Sequence, residues 1–183
     1  KVYSEKVYQI PDADRTNKGI PLVNILSLDP NEVITAAVSV PKFDEGKFIT
    51  LATTMGRVKR MSLSTLATVR ASGIISINLA EGDELGWARL TNGNDDIILV
   101  TEQGQALRFN EVKLRTMGRT GQGVRGIRLV DQDRLTSMEV VEPEGSLLVV
   151  TTKGFGKRTE LSEYPSRGRG AKGVGTTSKK SLS

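Results

Sequence analysis

The stretch LVTEQGQALRFNEVKL (99–114) has two counterparts in the same chain, LATTMGRVKRMSLSTL (51–66) and VVTTKGFGKRTELSEY (149–164). Each contains an apolar run, a turn that ends in glycine, and a second run with an arginine four residues after that glycine. The turn glycines lie 48 and 50 residues apart, at Gly56, Gly104 and Gly154. Self-similarity at a fixed period of this size is typical of proteins built from stacked or radially arranged units.

Other features repeat with the same period. A second glycine recurs every 50 residues, at Gly73, Gly123 and Gly173. The first forty residues fit the template with its front part absent. We therefore expect residues 1–183 to be part of one domain with four successive units: the remainder of a blade at 1–43, two blade repeats at 44–93 and 94–143, and an incomplete blade with a tail at 144–183.

Each unit has the pattern of β-structure. KFITLATT, DDIILVT and GSLLVVTT are short apolar runs rich in β-branched residues, and each meets the next run through a glycine turn. ELGWARL and RLTSMEV alternate apolar and polar residues, as half-buried strands do. About four antiparallel strands in roughly fifty residues is the arithmetic of a propeller blade. The prediction is an all-β, propeller-like fold that forms an incomplete wheel.

Composition excludes several function classes. The chain has no Cys and no His, so thiolate or imidazole chemistry and disulfides are absent. Tyr3, Tyr8 and Tyr164 have no basic or metal-ligand constellation around them in the sequence, and we interpret them as structural. We predict no catalytic residue, no metal site and no cofactor.

No apolar run is long enough for a membrane span. The net charge of +5 favours a polyanionic partner.

GQGVRG (121–126) matches the G-x-G-x-x-G pattern of dinucleotide-binding loops. That motif needs a strand before it and a helix after it. Here the preceding LRTMGRT is not an apolar strand, and the following residues include Val124, Ile127 and Leu129 among arginines and glycine. The pattern predicts a short strand with a glycine irregularity rather than a nucleotide site.

Charge is segregated within each unit. From Gln105 to Arg128 there are six basic residues and one acidic residue, Glu111, whereas the acids collect in EGDE, NDD, DQD and EPE. If the units are arranged radially, the basic segments form a stripe that matches the phosphates of a duplex, with little base readout. The candidate DNA-binding residues are Lys59, Arg60, Arg108, Arg115, Arg119, Arg125, Arg128, Lys157, Arg158, Arg167, Arg169 and Lys172. The alternatives are a solvated rim that serves solubility, and a propeller-like scaffold for protein interactions.

The units also resemble the C-terminal domain of DNA gyrase A, a six-bladed β-pinwheel. The resemblance rests on KVYQIPDADRTNKGIPLVNIL, MGRTGQGVRGIRL and TTKGFGKRTELSEYPS and covers residues 1 to about 175. It implies a non-catalytic module that wraps double-stranded DNA around a basic rim. It also implies a parent type IIA topoisomerase of A2B2 composition, in which gyrase A works with gyrase B and which uses ATP and magnesium elsewhere to introduce negative supercoils. The implied location is the bacterial cytoplasm, in association with the nucleoid.

The family's diagnostic box, Q-R-R-G-G-K-G, is expected in a blade before this chain begins. At the equivalent place in the last unit, RGRGAKG (167–173) matches the box at Arg169, Gly170, Lys172 and Gly173. We interpret it as a degenerate copy that still offers cations to phosphate. The ending GTTSKKSLS does not continue as a full blade would. The homologous C-terminal domain of topoisomerase IV is the close alternative, and the quoted matches favour gyrase.

Overall fold

The computed structural model describes residues 1–44 and 46–177. Within them the protein contains β-strands and short 3-10 helices only. The strands are β1 (Phe48–Thr53), β2 (Arg57–Ser62), β3 (Leu85–Thr91), β4 (Asp96–Thr101), β5 (Gln105–Asn110), β6 (Val124–Arg125), β7 (Leu135–Val140), β8 (Ser146–Val150), β9 (Gly156–Glu160) and β10 (Val174–Gly175). The 3-10 helices are Val7–Gln9, Leu22–Asn24, Leu63–Leu66, Glu111–Lys113 and Leu161–Glu163. The all-β prediction is confirmed.

The strands form antiparallel sheets in the orders β3-β1-β2-β6 and β10-β5-β4-β7, with β8 and β9 in a two-stranded sheet. Each four-stranded sheet takes three strands from one repeat and its fourth from the following repeat. The unit at 94–143 contains four strands, as the sequence predicted, but β6 joins the sheet of the preceding unit. The sequence predicted a short strand near Val124 but not its pairing partner, because a two-residue strand has no pattern that identifies the neighbouring strand.

This exchange of a strand between repeats occurs at three equivalent places. Val124 pairs with Val58, and Val174 pairs with Ala106. At the N-terminus a single antiparallel bridge joins Ile74 to Val2. Each contact follows one of the glycines that recur every fifty residues, so the repeat seen in the sequence corresponds to a repeated connection between units.

Two hairpins form the centres of the four-stranded sheets. β1 and β2 are joined by a turn at Gly56, whose φ is 73°, and β4 and β5 by a turn at Gly104, whose φ is 70°. This left-handed conformation suits glycine because it has no Cβ. The turn glycines predicted from the sequence therefore have the expected conformation.

The sheets pack face to face. Ala52 and Val58 of the first sheet contact a cluster that includes Ile97, Leu99 and Phe109 of the second. The opposite face of the second sheet packs against the next repeat, and the opposite face of the first packs against the N-terminal segment. The central strands β1 and β4 are buried on both faces, which explains their continuous apolar sequences.

The two ends of the stack are less regular. In KVYSEKVYQIP only Val2 makes a β-bridge, and Val7–Gln9 is a 3-10 helix. Glu32 accepts hydrogen bonds from the Tyr3 hydroxyl and the Asp29 amide, and these lower its pKa to about 2.

At the C-terminal end, the two-stranded sheet leaves Leu148 66% and Phe155 58% exposed. Most of the expected tail, residues 178–183, lies outside the described residues.

Candidate nucleic-acid interface

The structure separates the twelve predicted DNA-binding residues into two groups. Three of them, Lys59, Arg60 and Arg108, lie wholly or largely inside the protein. The other nine are exposed: Arg115, Arg119, Arg125, Arg128, Lys157, Arg158, Arg167, Arg169 and Lys172. β2 and β5 each lie between two other strands and are covered on both faces, so even the consecutive residues Lys59 and Arg60 are largely removed from solvent.

Lys59 is not a surface cation. Its side chain is 0% exposed, and Nζ donates to the carbonyl oxygens of Ser76 and Arg119, each at 2.5 Å. Burial lowers the pKa of Lys59 to about 8, since the charged form loses its hydration. We therefore correct the prediction that Lys59 contacts DNA. Its ammonium group connects two successive loops inside the protein.

Arg60 belongs to a buried polar network. Its side chain is 11% exposed, lies 4.6 Å from the centre of the Phe48 ring, and has Nη1 3.4 Å from a carboxylate oxygen of Glu111. That carboxylate is fully buried and also accepts hydrogen bonds from the amides of Gly93 and Asp95. Arg60 therefore compensates a buried charge, and we correct its assignment to the interface.

Arg108 has an equivalent structural role in the next repeat. Its Nε donates to Oδ2 of Asp96 at 2.7 Å, and its Nη1 donates to the carbonyl oxygen of Leu161 at 3.0 Å. The first bond stays within the repeat, whereas the second reaches the following one. Arg108 therefore links two repeats through Nε and Nη1 of its guanidinium group. Because these donors are directed at the protein, we correct its assignment to the interface as well.

Seven of the exposed candidates lie in two loops that pack on each other, residues 113–128 and 167–173, which we call the double loop. The amide of Gly170 donates to Gly126 at 2.6 Å, and that of Arg128 donates to Ala171 at 2.9 Å. Lys113 Nζ also crosses between the loops, to the carbonyl oxygen of Arg167 at 2.6 Å. The predicted candidates in the double loop are Arg115, Arg119, Arg125, Arg128, Arg167, Arg169 and Lys172, of which Arg169 makes side-chain bonds within the protein.

The charge of the double loop is of one sign. Its eight cations, those seven together with Lys113, are all exposed, and neither loop contains Asp or Glu. None of the eight forms an ion pair in the described part of the chain. Uncompensated cations close together produce a strong local positive potential, which attracts polyanions. The structure thus concentrates the predicted basic stripe in one place.

Two of the predicted residues lie elsewhere. Lys157 and Arg158 are exposed on β9, opposite Val149 and Leu148 of β8. No side-chain hydrogen bond or ion pair joins them to the double loop in the described residues. Their part in a common DNA path stays a prediction.

Arg57 contacts the double loop and was missed in the sequence. Its Nε donates to the carbonyl oxygen of Gln122 at 3.1 Å, and its Nη2 donates to that of Gly123 at 2.8 Å. The equivalent residues of the other repeats are Gln105 and Phe155, so repetition gives no signal for this arginine. Only the exchanged strand β6, which pairs Arg57 with Arg125, reveals the contact.

The G-x-G-x-x-G segment is explained by the same contact. Val124 and Arg125 form β6, and no helix follows them directly in the described residues, so the prediction of a short strand is confirmed. Gly123 has a φ of 76°, and a Cβ there would lie 2.6 Å from the carbonyl oxygen of Val58. The glycine is needed for close packing of two repeats, not for a nucleotide.

The described residues contain no group of three or more acidic side chains that could hold a metal ion. None of the helices described is long and apolar enough to cross a membrane.

Stacked antiparallel sheets linked by exchanged strands, with one basic double loop, define a propeller-type repeat protein. The sequence model described as "DNA gyrase C-terminal domain, beta-propeller" matches residues 1–41, 47–92, 95–142 and 145–175. The chain belongs to this family of DNA gyrase C-terminal domains. The resemblance inferred from the sequence is confirmed.

Individual relatives agree with this assignment. The chain is 44% identical over 174 residues to the DNA gyrase A protein of Salmonella typhimurium and 42% identical over 176 residues to that of Mycolicibacterium smegmatis. Each alignment covers 95% of this chain, but 20% and 21% of the respective relatives. The chain thus spans about a fifth of the length of the curated relatives that it matches.

Solved structures share the fold. The C-terminal domain of DNA topoisomerase IV superposes with a TM-score of 0.83 at 29% identity, covering 92% of this chain and 53% of that one. A DNA gyrase A C-terminal domain superposes with a TM-score of 0.78 at 24% identity, covering 89% and 56%. The second likeness shows the fold alone.

Proposed function

We propose that this chain binds double-stranded DNA through its phosphates, without sequence specificity, and bends the duplex around its basic surface. The single observation that carries the proposal is the double loop, where eight exposed cations lie together with no carboxylate partner in the described residues. Duplex DNA presents one negative charge per ~1.7 Å of axis, so a continuous group of cations of this kind matches it. A curved path would offset the cost of bending by adding contacts.

We further propose that the chain acts within a bacterial type IIA topoisomerase as its DNA-wrapping module. The family assignment and the gyrase A relatives support this. In that setting its partners are DNA, the remainder of gyrase A, and gyrase B, in an A2B2 complex. ATP and magnesium serve other parts of that enzyme, which introduces negative supercoils in the cytoplasm, at the nucleoid. This chain itself performs no bond chemistry.

The test is a fluorescence-anisotropy titration of the 183-residue chain with a duplex of about 40 base pairs, at several salt concentrations and with unrelated sequences. We expect a log–log salt slope of about −4 or steeper, equal for each sequence, because each neutralised phosphate contributes about −0.9. No binding at low salt would refute the proposal and favour a protein-interaction scaffold or a solvated rim.

Variants then locate the binding surface. Arg119→Gln and Arg125→Gln should each weaken binding to all sequences alike and reduce the steepness of the salt slope by about 0.9. Arg134→Gln is the matched control, because this exposed arginine lies outside the double loop. Unchanged affinity in the first two variants would show that DNA binds elsewhere.

A topoisomerase IV setting is the second candidate, favoured by the superposition on its C-terminal domain with a TM-score of 0.83. The two candidates differ in how strongly they wrap DNA. Ligation of nicked circular DNA in the presence of the chain measures this, since wrapped DNA is sealed with a changed linking number. A clear positive change supports the gyrase setting, whereas binding without a change supports topoisomerase IV.

A further inference from the structure

Main-chain carbonyl oxygens of residues 113–128 are bound by cationic side chains from outside that segment. Arg57 lies in the preceding repeat, where it immediately follows the turn glycine of the first hairpin. Its guanidinium group donates to two carbonyl oxygens, those of Gln122 and Gly123, at 3.1 and 2.8 Å. One planar cation thus fixes two successive peptide units of the loop.

A second guanidinium group does the same from the following repeat. Arg169 donates through Nε to the carbonyl oxygen of Lys113 at 3.0 Å and through Nη1 to that of Arg125 at 3.4 Å. From inside the protein, the buried Lys59 donates to the carbonyl oxygen of Arg119. Five carbonyl oxygens of the loop are therefore directed at cations.

The arrangement has a consequence for a bound anion. Carbonyl oxygens are the negative ends of the peptide dipoles, and an exposed carbonyl would repel a phosphate, whereas main-chain N–H groups attract it. The amides of Gly118, Arg119, Thr120 and Gln122 donate to no acceptor in the described part of the chain. The loop thus has five of its carbonyl oxygens bound by cations and several of its amide donors available.

We propose that Arg57, Lys59 and Arg169 are positioning residues of a phosphate-binding loop at 113–128. They bind its carbonyl oxygens, and so leave the side chains of Arg119, Arg125 and Arg128 and the available amides to contact DNA phosphates. This inference rests on the proposed DNA binding. It reassigns Arg169, which the sequence places among the direct contacts.

Among the three repeats that contain the turn glycine, the combination of Arg57 and Lys59 is found only in the one that precedes this loop. The residues equivalent to Arg57 are Gln105 and Phe155, and those equivalent to Lys59 are Leu107 and Lys157. The second repeat therefore has neither cation, and the third has only Lys157. General stabilisation of the fold would place them in every unit.

Charge-conserving variants separate a positioning role from direct contact. Arginine holds two carbonyl oxygens with its planar fork, whereas lysine offers a single ammonium group, so Arg169→Lys and Arg57→Lys keep the charge and lose the bidentate geometry. Arg134→Lys is the matched control, because the Arg134 side chain is exposed, lies outside the double loop and makes no hydrogen bond in the described residues. DNA affinity is measured by anisotropy, and hydrogen exchange of the Arg128 and Gly126 amides is measured without DNA.

We expect Arg169→Lys and Arg57→Lys to bind DNA about five- to tenfold more weakly, with faster amide exchange in the loop, and Arg134→Lys to bind within about twofold of the wild type. Wild-type affinity in both Arg169→Lys and Arg57→Lys would overturn the positioning roles while the proposed function stands. Absence of DNA binding by the wild-type chain would instead refute the proposed function, and this inference with it.

Discussion

The loops at residues 67–79 and 117–129 occupy the same place in successive repeats but differ in charge. Both contain a left-handed glycine, and both pair with the preceding unit, the first through a single bridge at Ile74 and the second through β6 at Val124. The backbones of both loops thus pair one unit with the unit before it. The pairing between units does not depend on the charges that the loops carry.

The side chains differ at the exposed positions. Where the second loop has Arg125 and Arg128, the first has Ile75 and Asn78, which are also exposed. The first loop has a single cation, Arg70. Because fold and charge vary independently between repeats, changes to the backbone contact should affect stability, and changes to the exposed cations should affect DNA binding.

The largest effect is expected at the glycine of the second loop. Gly123→Ala places a methyl group 2.6 Å from the carbonyl oxygen of Val58 at a φ of 76°, so strain and a backbone clash add. We expect the free energy of unfolding to fall by about 3 kcal/mol. Gly73→Ala has a similar φ but meets the ring of Tyr3, which can move, and should cost about 1–2 kcal/mol. Urea unfolding measures both, and equal losses would show that the two contacts are equivalent.

The next effect distinguishes interior from exposed arginines. Arg60→Gln leaves the buried Glu111 carboxylate without its cation, and we expect it to lower the free energy of unfolding by about 2 kcal/mol. The salt slope of DNA binding should stay unchanged. Arg125→Gln should show the reverse pattern. A shallower salt slope in Arg60→Gln would return that residue to the interface.

The sequence predicted the repeats better than it predicted the site. The sequence predicted the repeat period, the turn glycines and the buried runs such as DIILVT, because each depends on residues that are near one another in the chain. The structure has these features where they were expected. The chemical type of Arg60 is the same as that of Arg125, but one lies beside Glu111 and the other in solvent. Their environments depend on the packing of one repeat against the next. The sequence predicted the short strand at Val124, but it contains no local signal of the strand with which this one pairs.

A transfer of charge between the loops should have a moderate effect. Ile75→Arg with Asn78→Arg gives the first loop the cations of the second at two exposed positions. We expect DNA affinity to rise about tenfold and the salt slope to steepen by up to about 1.8, if the added cations reach phosphates. Ile75→Gln with Asn78→Gln is the uncharged control. An unchanged slope would place the first loop away from the DNA path.

The smallest effect concerns Lys59, which joins the two loops through Ser76 and Arg119. Its pKa in the folded protein is lowered to about 8 from an ordinary value of 10.5. Between these values the unfolded chain binds more protons than the folded chain, so the contribution of Lys59 to stability rises as the pH increases. We expect the wild type to gain about 1 kcal/mol relative to Lys59→Met between about pH 8 and 9.5. Urea unfolding of both proteins at each pH measures the difference. A constant difference would show that the lysine keeps its charge, and that the connection between the loops does not titrate in this range.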